Sequence, residues 1–455
     1  MPNSRSKKTE LTGVQIIVLA YFIAIIIATI LLYLPIFHNE GVNVKLVDAF
    51  FTATSAVTVT GLTTMNTAAT FNLGGQLIIL LFIQLGGVGI MTLGTFIWVV
   101  AGRKIGMKER ELIRIDHNRS EFSGLVQLMK RVLGIVLAIE LTATLLVGTY
   151  LLKYYDIWYE AYYNGLFHTI SAFTNAGFDI FGSSLTGFGS DYLLQILVMI
   201  LIILGGIGFP VLIEVREFLH TLRSKENRRS FRFSLFSKLA SMTFLVLLLG
   251  GFILIWVFEN SAAFAGMAWH EKLFYALFNS VSARSSGYTT MDVGLFSPYT
   301  LFLISILMFI GASPSSTGGG VRTTTFAVIV LSVINFVKGK KEVTIFRRRI
   351  EQEDMLKSLV VFTTAILLIG TSIILLSLFE GERFSLLEII YEISSAFGTT
   401  GSSMGITAEL TSAGKLLLSV LMFIGRIGIL SLLFIFKEKG TAPKITYPAE
   451  KIIIG

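Results

Sequence analysis

One short stretch sets the plan of this chain: Ser55-Ala56-Val57-Thr58-Val59-Thr60-Gly61, a polar run of hydroxyls and small residues ending in glycine. It recurs as Ser171-Ala172-Phe173-Thr174-Asn175-Ala176-Gly177 and as Ser395-Ala396-Phe397-Gly398-Thr399-Thr400-Gly401. A version one residue shorter is Ser282-Ala283-Arg284-Ser285-Ser286-Gly287. The closing glycines stand 116, 110 and 114 residues apart, so the chain holds four copies of one unit.

Each copy follows an apolar run too short to cross a bilayer and precedes a full-length one. The 455 residues are 53% hydrophobic and 15% charged, against roughly 25% charged in soluble domains. This predicts an integral membrane protein. A spanning helix needs about 20 apolar residues. The runs 14–34, 76–100, 132–152, 192–215, 239–258, 356–379 and 416–436 qualify. The run 301–337 is longer and is interrupted by Gly311-Ala312-Ser313-Pro314-Ser315-Ser316-Thr317-Gly318-Gly319-Gly320. The expected fold is therefore all-α, with eight spans and four re-entrant half-helices. One membrane domain covers 1–455, with repeats at 14–102, 132–216, 237–337 and 356–437.

Charge orients this plan. Of the 37 Lys and Arg residues, 29 fall in the two tails and the links between repeats. The positive-inside rule then puts both termini and all links in the cytoplasm of a cell-membrane protein. Each repeat crosses twice, so the repeats are parallel and surround one axis, unlike the inverted repeats of rocking transporters. No cysteine, no histidine at ligand spacing and no nucleophile or phosphate-loop motif is present, which argues against an enzyme.

A cation entering the membrane needs its hydration shell replaced by fixed oxygens, and backbone carbonyls on a glycine-permitted path supply them. No carboxylate lies between serine and glycine in any copy, so selection by carbonyl dipoles is expected. The candidate filter residues are Gly61, Gly177, Gly287 and Gly401, flanked by Thr60, Ala176, Ser286 and Thr400.

The second span of each repeat carries a further glycine motif: Leu85-Gly-Gly-Val-Gly89, Leu204-Gly-Gly-Ile-Gly208, Ile310-Gly311 and Ile424-Gly-Arg426-Ile-Gly428. The segment Gly311 to Gly320 reads as a mobile loop that gates conduction below the filter, or as a static helix break. Arg426 lies mid-span, where arginine is costly. It would repel cations or tie down the loop; the alternative is an ion pair with Glu140, also mid-span, or with another acid. The basic inner links, such as 107–114 and 338–349, read as orientation signals or as a docking surface.

Phe50-Phe51-Thr52, with Ser55 to Leu62, Asn175-Ala-Gly177-Phe178, Ser285-Ser-Gly287-Tyr288 and Thr399-Thr-Gly401, resemble the filter motifs of the Trk/Ktr/HKT potassium-transport superfamily. The resemblance covers nearly the whole chain and is greatest to the bacterial Ktr type. It implies potassium uptake through a channel-like pore, with the four glycines as filter. It also implies sodium as a possible activator, a homodimer in the bilayer, and a cytoplasmic ring of RCK-type regulatory subunits. No nucleotide is expected on this chain and no nucleic acid as partner. A sodium- or proton-coupled symporter and the translocating subunit of a cation pump are the competing readings.

Overall fold

The computed structural model describes residues 12–90, 125–223, 231–340 and 342–435, together with 448 and 450. The described helices fall four times into one order: a long or leading helix, a short helix, and a second helix. The first unit is α1 (Gly13–Tyr33), α2 (Leu46–Thr58) and α3 (Leu73–Val88). The second is α4 (Leu125–Leu151), α5 (Trp158–Phe173), α6 (Tyr192–Gly206) and α7 (Phe209–Arg223). The third is α8 (Leu235–Glu259), α9 (Trp269–Ser282), α10 (Pro298–Phe309) and α11 (Thr323–Val337). The fourth is α12 (Gln352–Glu380), α13 (Leu386–Gly398), α14 (Ser412–Ile427) and α15 (Ile429–Ile435).

Local signals fix these boundaries. A capping box starts α1: the Thr12 hydroxyl accepts from Gln15 N, and Gln15 Oε1 accepts from Thr12 N at 2.9 Å. Asn72, Asp191 and Thr411 cap α3, α6 and α14 through their side-chain oxygens. Buried carboxylates brace the starts of α10 and α14. Glu259, at the end of α8, accepts from Ser297 N at 3.0 Å, and Glu380, at the end of α12, accepts from Thr411 N at 2.9 Å. These bonds tie the end of a leading helix to the start of its unit's second helix.

Burial runs opposite to that of a water-soluble bundle. The leading helices expose Phe22, Ile26, Ile30, Leu141, Leu145, Val257, Leu367 and Ile374, while the buried groups at the ends of the short helices include Ser55, Thr58, Ser171 and Ser395. Apolar side chains face outward and hydroxyls inward, which suits a hydrocarbon surround. Second helices pack on the short helix of the following unit: α3 on α5, α6 on α9, α10 on α13, and α14 back on α2. The four units thus close into a cycle.

Among the described residues four helices are continuous and apolar enough to cross a membrane, α1, α4, α8 and α12, or up to six if bent pairs count as spans. This revises the expectation of second spans broken only in the third repeat. The run 192–215 is two helices bent by 104°, and 416–436 is two helices bent by 95°. The helix in 76–100 ends at Val88, and the remainder of that run from 91 onward lies outside the described residues. The cause is the last glycine of each motif. Gly89, Gly208 and Gly428 have φ of 100°, 101° and 88°, which no right-handed helix can continue through. Link 107–114 lies outside the described residues. Part of 338–349 is a hairpin, with β1 (Thr344–Ile345) antiparallel to β2 (Arg348–Arg349) around Phe346 and Arg347 at positive φ.

Candidate functional site

The short helices α2, α5, α9 and α13 end at the four repeated stretches. Two residues before each glycine the chain turns left-handed: Val59 (φ 57°), Asn175 (60°), Ser285 (83°) and Thr399 (48°). Each glycine is left-handed again, with φ of 92° at Gly61, 67° at Gly177, 73° at Gly287 and 90° at Gly401. Left-handed valine and threonine cost about 1–3 kcal/mol each, and such strain concentrates where backbone holds a ligand. Sequence reasoning missed these four positions; at Val59 and Thr399 the β-branched side chain advertises the opposite preference.

Hydrogen bonds from the repeated serines hold this path. Thr60 N donates to Ser55 O (2.8 Å), Ala176 N to Ser171 O (2.7 Å), Thr400 N to Ser395 O (2.8 Å) and Gly287 N to Ser282 O (3.4 Å). The serine hydroxyls divide into two pairs. Ser55 and Ser395 Oγ accept from Gly61 N and Gly401 N at 3.0 and 3.1 Å. Ser171 and Ser282 Oγ instead donate to the carbonyls of Phe178 and Tyr288 at 2.7 and 2.5 Å.

The four glycines meet. A methyl placed on Gly61 would strike the Ala176 carbonyl oxygen, one on Gly177 that of Ser286, one on Gly287 that of Thr400, and one on Gly401 that of Thr60. Each contact passes to the next unit and the fourth returns to the first. The shortened third copy keeps its place, so Gly287 is aligned with the others. The carbonyls of Thr60, Ala176, Ser286 and Thr400 accept no hydrogen bond among the described residues. The hydroxyls of Ser286 and Thr400 are buried beside them without a partner. Buried carbonyls are almost always paired, so a ring of unpaired ones has oxygen to offer a cation.

The third unit departs from the others behind this ring. In units one, two and four, the first motif glycine (Gly86, Gly205, Gly425) lies against the carbonyl of Val57, Phe173 or Phe397. In unit three, fully buried Arg284 donates to the carbonyls of Ile310 (2.8 Å) and Gly311 (2.7 Å), where α10 ends. Its charge is spent on orphan helix carbonyls. It is not aimed at the ring.

Gly311 to Gly320 folds across the ends of the other units. Ser313 N donates to Gly206 O (3.1 Å), Thr317 N to Gly205 O (3.3 Å) and Gly320 N to Gly425 O (3.2 Å). The loop therefore satisfies carbonyls that the breaks in units two and four leave exposed. Gly318 packs on Ser285 and Gly319 on Thr399, directly behind the ring, while Pro314 and Ser315 are half-buried. Ala312, Ser313, Ser316 and Thr317 are buried. Arg426 donates to the Thr317 carbonyl and to those of Gly86 and Gly87, bridging units one, three and four. Glu140 bonds elsewhere, to Gln84 Nε2 at 2.9 Å, so no Arg426–Glu140 ion pair forms. Arg322 binds the Gly318 carbonyl from within the loop's own unit. Beyond the loop lies a cavity of about 90 Å³ lined by Tyr21, Gly89, Phe209, Ser316, Arg322 and Arg426, contributed by all four units.

Known proteins match this chain over nearly its full length. Residues 4–445 match the family model TrkH, described as a cation transport protein. The chain is 50% identical over 445 residues to Ktr system potassium uptake protein D of Bacillus subtilis, covering 98% of each chain. It is 35% identical over 453 residues to the potassium/sodium uptake protein NtpJ of Enterococcus hirae, again covering 98% of each. The crystal structure of the potassium transporter TrkH from Vibrio parahaemolyticus superposes with a TM-score of 0.74 at 17% identity, over 96% of this chain and 87% of that one. Matches over nearly the full length, to the family model and to a relative half identical in sequence, place this chain in the TrkH family of multi-pass cation transport proteins.

Proposed function

We propose that the chain takes up potassium across the cell membrane through a pore on the axis of its four units. The observation that carries this reading is the closed ring of Gly61, Gly177, Gly287 and Gly401, with the unpaired carbonyls of Thr60, Ala176, Ser286 and Thr400. Carbonyl dipoles at fixed spacing replace a cation's water, and the negative ends of α2, α5, α9 and α13 favour a positive charge there. The membrane potential drives entry, at about 2.3 kcal/mol per charge per 100 mV. In this reading each second span crosses as a broken helix, which gives eight spans and cytoplasmic termini.

The loop from Gly311 to Gly320 is the gate, and Arg426 is its latch. Opening must break the bonds from Arg426 to Thr317 and from the loop to Gly205, Gly206 and Gly425. The protein works as a homodimer whose exposed basic segments, including the hairpin at Thr344–Arg349, dock a cytoplasmic nucleotide-binding ring. Nucleotide control resides in that partner, with sodium as an activator.

The test is uptake of potassium, rubidium and sodium into liposomes holding the purified protein at set membrane potentials. Potassium and rubidium are expected to follow the potential, with sodium largely excluded. Uptake that requires a sodium or proton gradient and runs against the potassium potential would move the function to coupled transport.

A further inference from the structure

Glu140 sits within α4, only 5% exposed, and is used by neither the ring nor the loop. Its partner is Gln84 on α3, in the neighbouring unit: Gln84 Nε2 donates to Glu140 Oε2 at 2.9 Å. The other oxygen of each group, Glu140 Oε1 and Gln84 Oε1, is buried and has no partner. An ionised carboxylate would leave two acceptors on adjoining groups without a donor, and no cation lies within ion-pair range among the described residues. Burying such a charge unpaired is very costly, so a buried carboxyl takes up a proton instead.

We infer that Glu140 and Gln84 form a buried proton-binding site, in which the carboxyl stays neutral and clasps the first unit to the second as a reciprocal acid–amide pair. The proton comes from bulk water and resides on Glu140 Oε1, which then donates to Gln84 Oε1 while Gln84 Nε2 donates to Oε2. One proton thus supplies a partner to both orphaned oxygens. α3 carries no charged residue; α5 brings Glu160 and His168, and α7 brings Glu214, Arg216, Glu217, His220 and Arg223. Glu160, His168, Glu214, Arg216, Glu217 and His220 are not bonded to Glu140, and Arg131 on α4 itself is paired with Glu217. Neither member of the clasp lines the inner cavity, so the proton is structural and does not travel with the transported ion.

Infrared difference spectra between the natural protein and Glu140→Gln, in liposomes at neutral pH, test this directly. A protonated carboxyl stretch should be present in the natural protein, absent in the variant, and unchanged when sodium replaces choline. Glutamine reproduces the reciprocal pair, so Glu140→Gln should keep the thermal midpoint and potassium uptake, whereas Glu140→Ala should lower the midpoint. Absence of the stretch would overturn the assignment. So would its disappearance on adding sodium, which would mark a cation held by Glu140 and Gln84. A Glu140→Gln protein as destabilised as Glu140→Ala would contradict it as well.

Discussion

The glycine ring and the loop from Gly311 to Gly320 lie one above the other, yet are built on opposite plans. Four units make the ring, each giving the same backbone turn and passing the same contact to its neighbour. A single unit supplies the loop, which reaches across to the ends of the other units. Near-fourfold symmetry suits a task in which equal oxygens surround one ion. A gate needs only one element that can move, and the break in unit three has about ten more residues than those in units two and four, by comparison of Gly311 to Gly320 with the single turns at Gly208 and Gly428. On the proposed reading, selection and gating are thereby separated in the chain, and each can be broken alone.

The largest effect is expected in the ring. Gly177→Ala or Gly401→Ala would push a methyl into the next unit's carbonyl oxygen and force an L side chain into the left-handed region. Potassium uptake should fall by about tenfold or more, for a loss of ~1–3 kcal/mol at the ion site, with the protein still present in the membrane. Gly61→Ser sets its side chain, also at a left-handed φ, against the Ala176 carbonyl and the Gly177 Cα. It should admit sodium, read as a smaller potassium-to-sodium ratio of uptake. Unchanged selectivity in both would sever the ring from selection.

Next come changes confined to the loop, which should alter rate and leave selectivity intact. Deleting Ser313 to Thr317 removes the donors to Gly205 and Gly206 and should raise the resting potassium leak; flux equal to the natural protein's would reject the gate. Arg426→Gln removes the charge and at least one of three carbonyl bonds. Flux per molecule should rise severalfold, and reduced expression with normal flux per molecule would assign Arg426 a structural role. The smallest effect is expected from Ser55→Ala, which unties Gly61 N. At about 1 kcal/mol for one hydrogen bond, it should cost selectivity less than Gly61→Ser does.

The difference between ring and loop also explains what could be read from the sequence. The ring was legible because repetition marks it: four serines and four glycines at matched phase imply equivalent places, even where unit three is a residue short. The left-handed turns at Val59 and Thr399 were not legible, since side chains of that kind disfavour them and only the surrounding contacts impose them. The breaks at Gly89, Gly208 and Gly428 left a signal in their glycine motifs. Their apolar flanks satisfy the length criterion for a span, however, and that masked the turn. Arg284 was equally opaque: in the sequence it marks only the departure of the third copy from the others, whereas its partners are the helix-end carbonyls of Ile310 and Gly311. Those are brought near only by the packing of α9 against its own unit.

The most direct test of the central claim is anomalous diffraction from crystals of the protein grown in rubidium. The account predicts a rubidium peak on the axis of the ring, equidistant from the carbonyl oxygens of Thr60, Ala176, Ser286 and Thr400, and lost in Gly177→Ala. Rubidium bound elsewhere in the membrane region, with the ring empty, would contradict it.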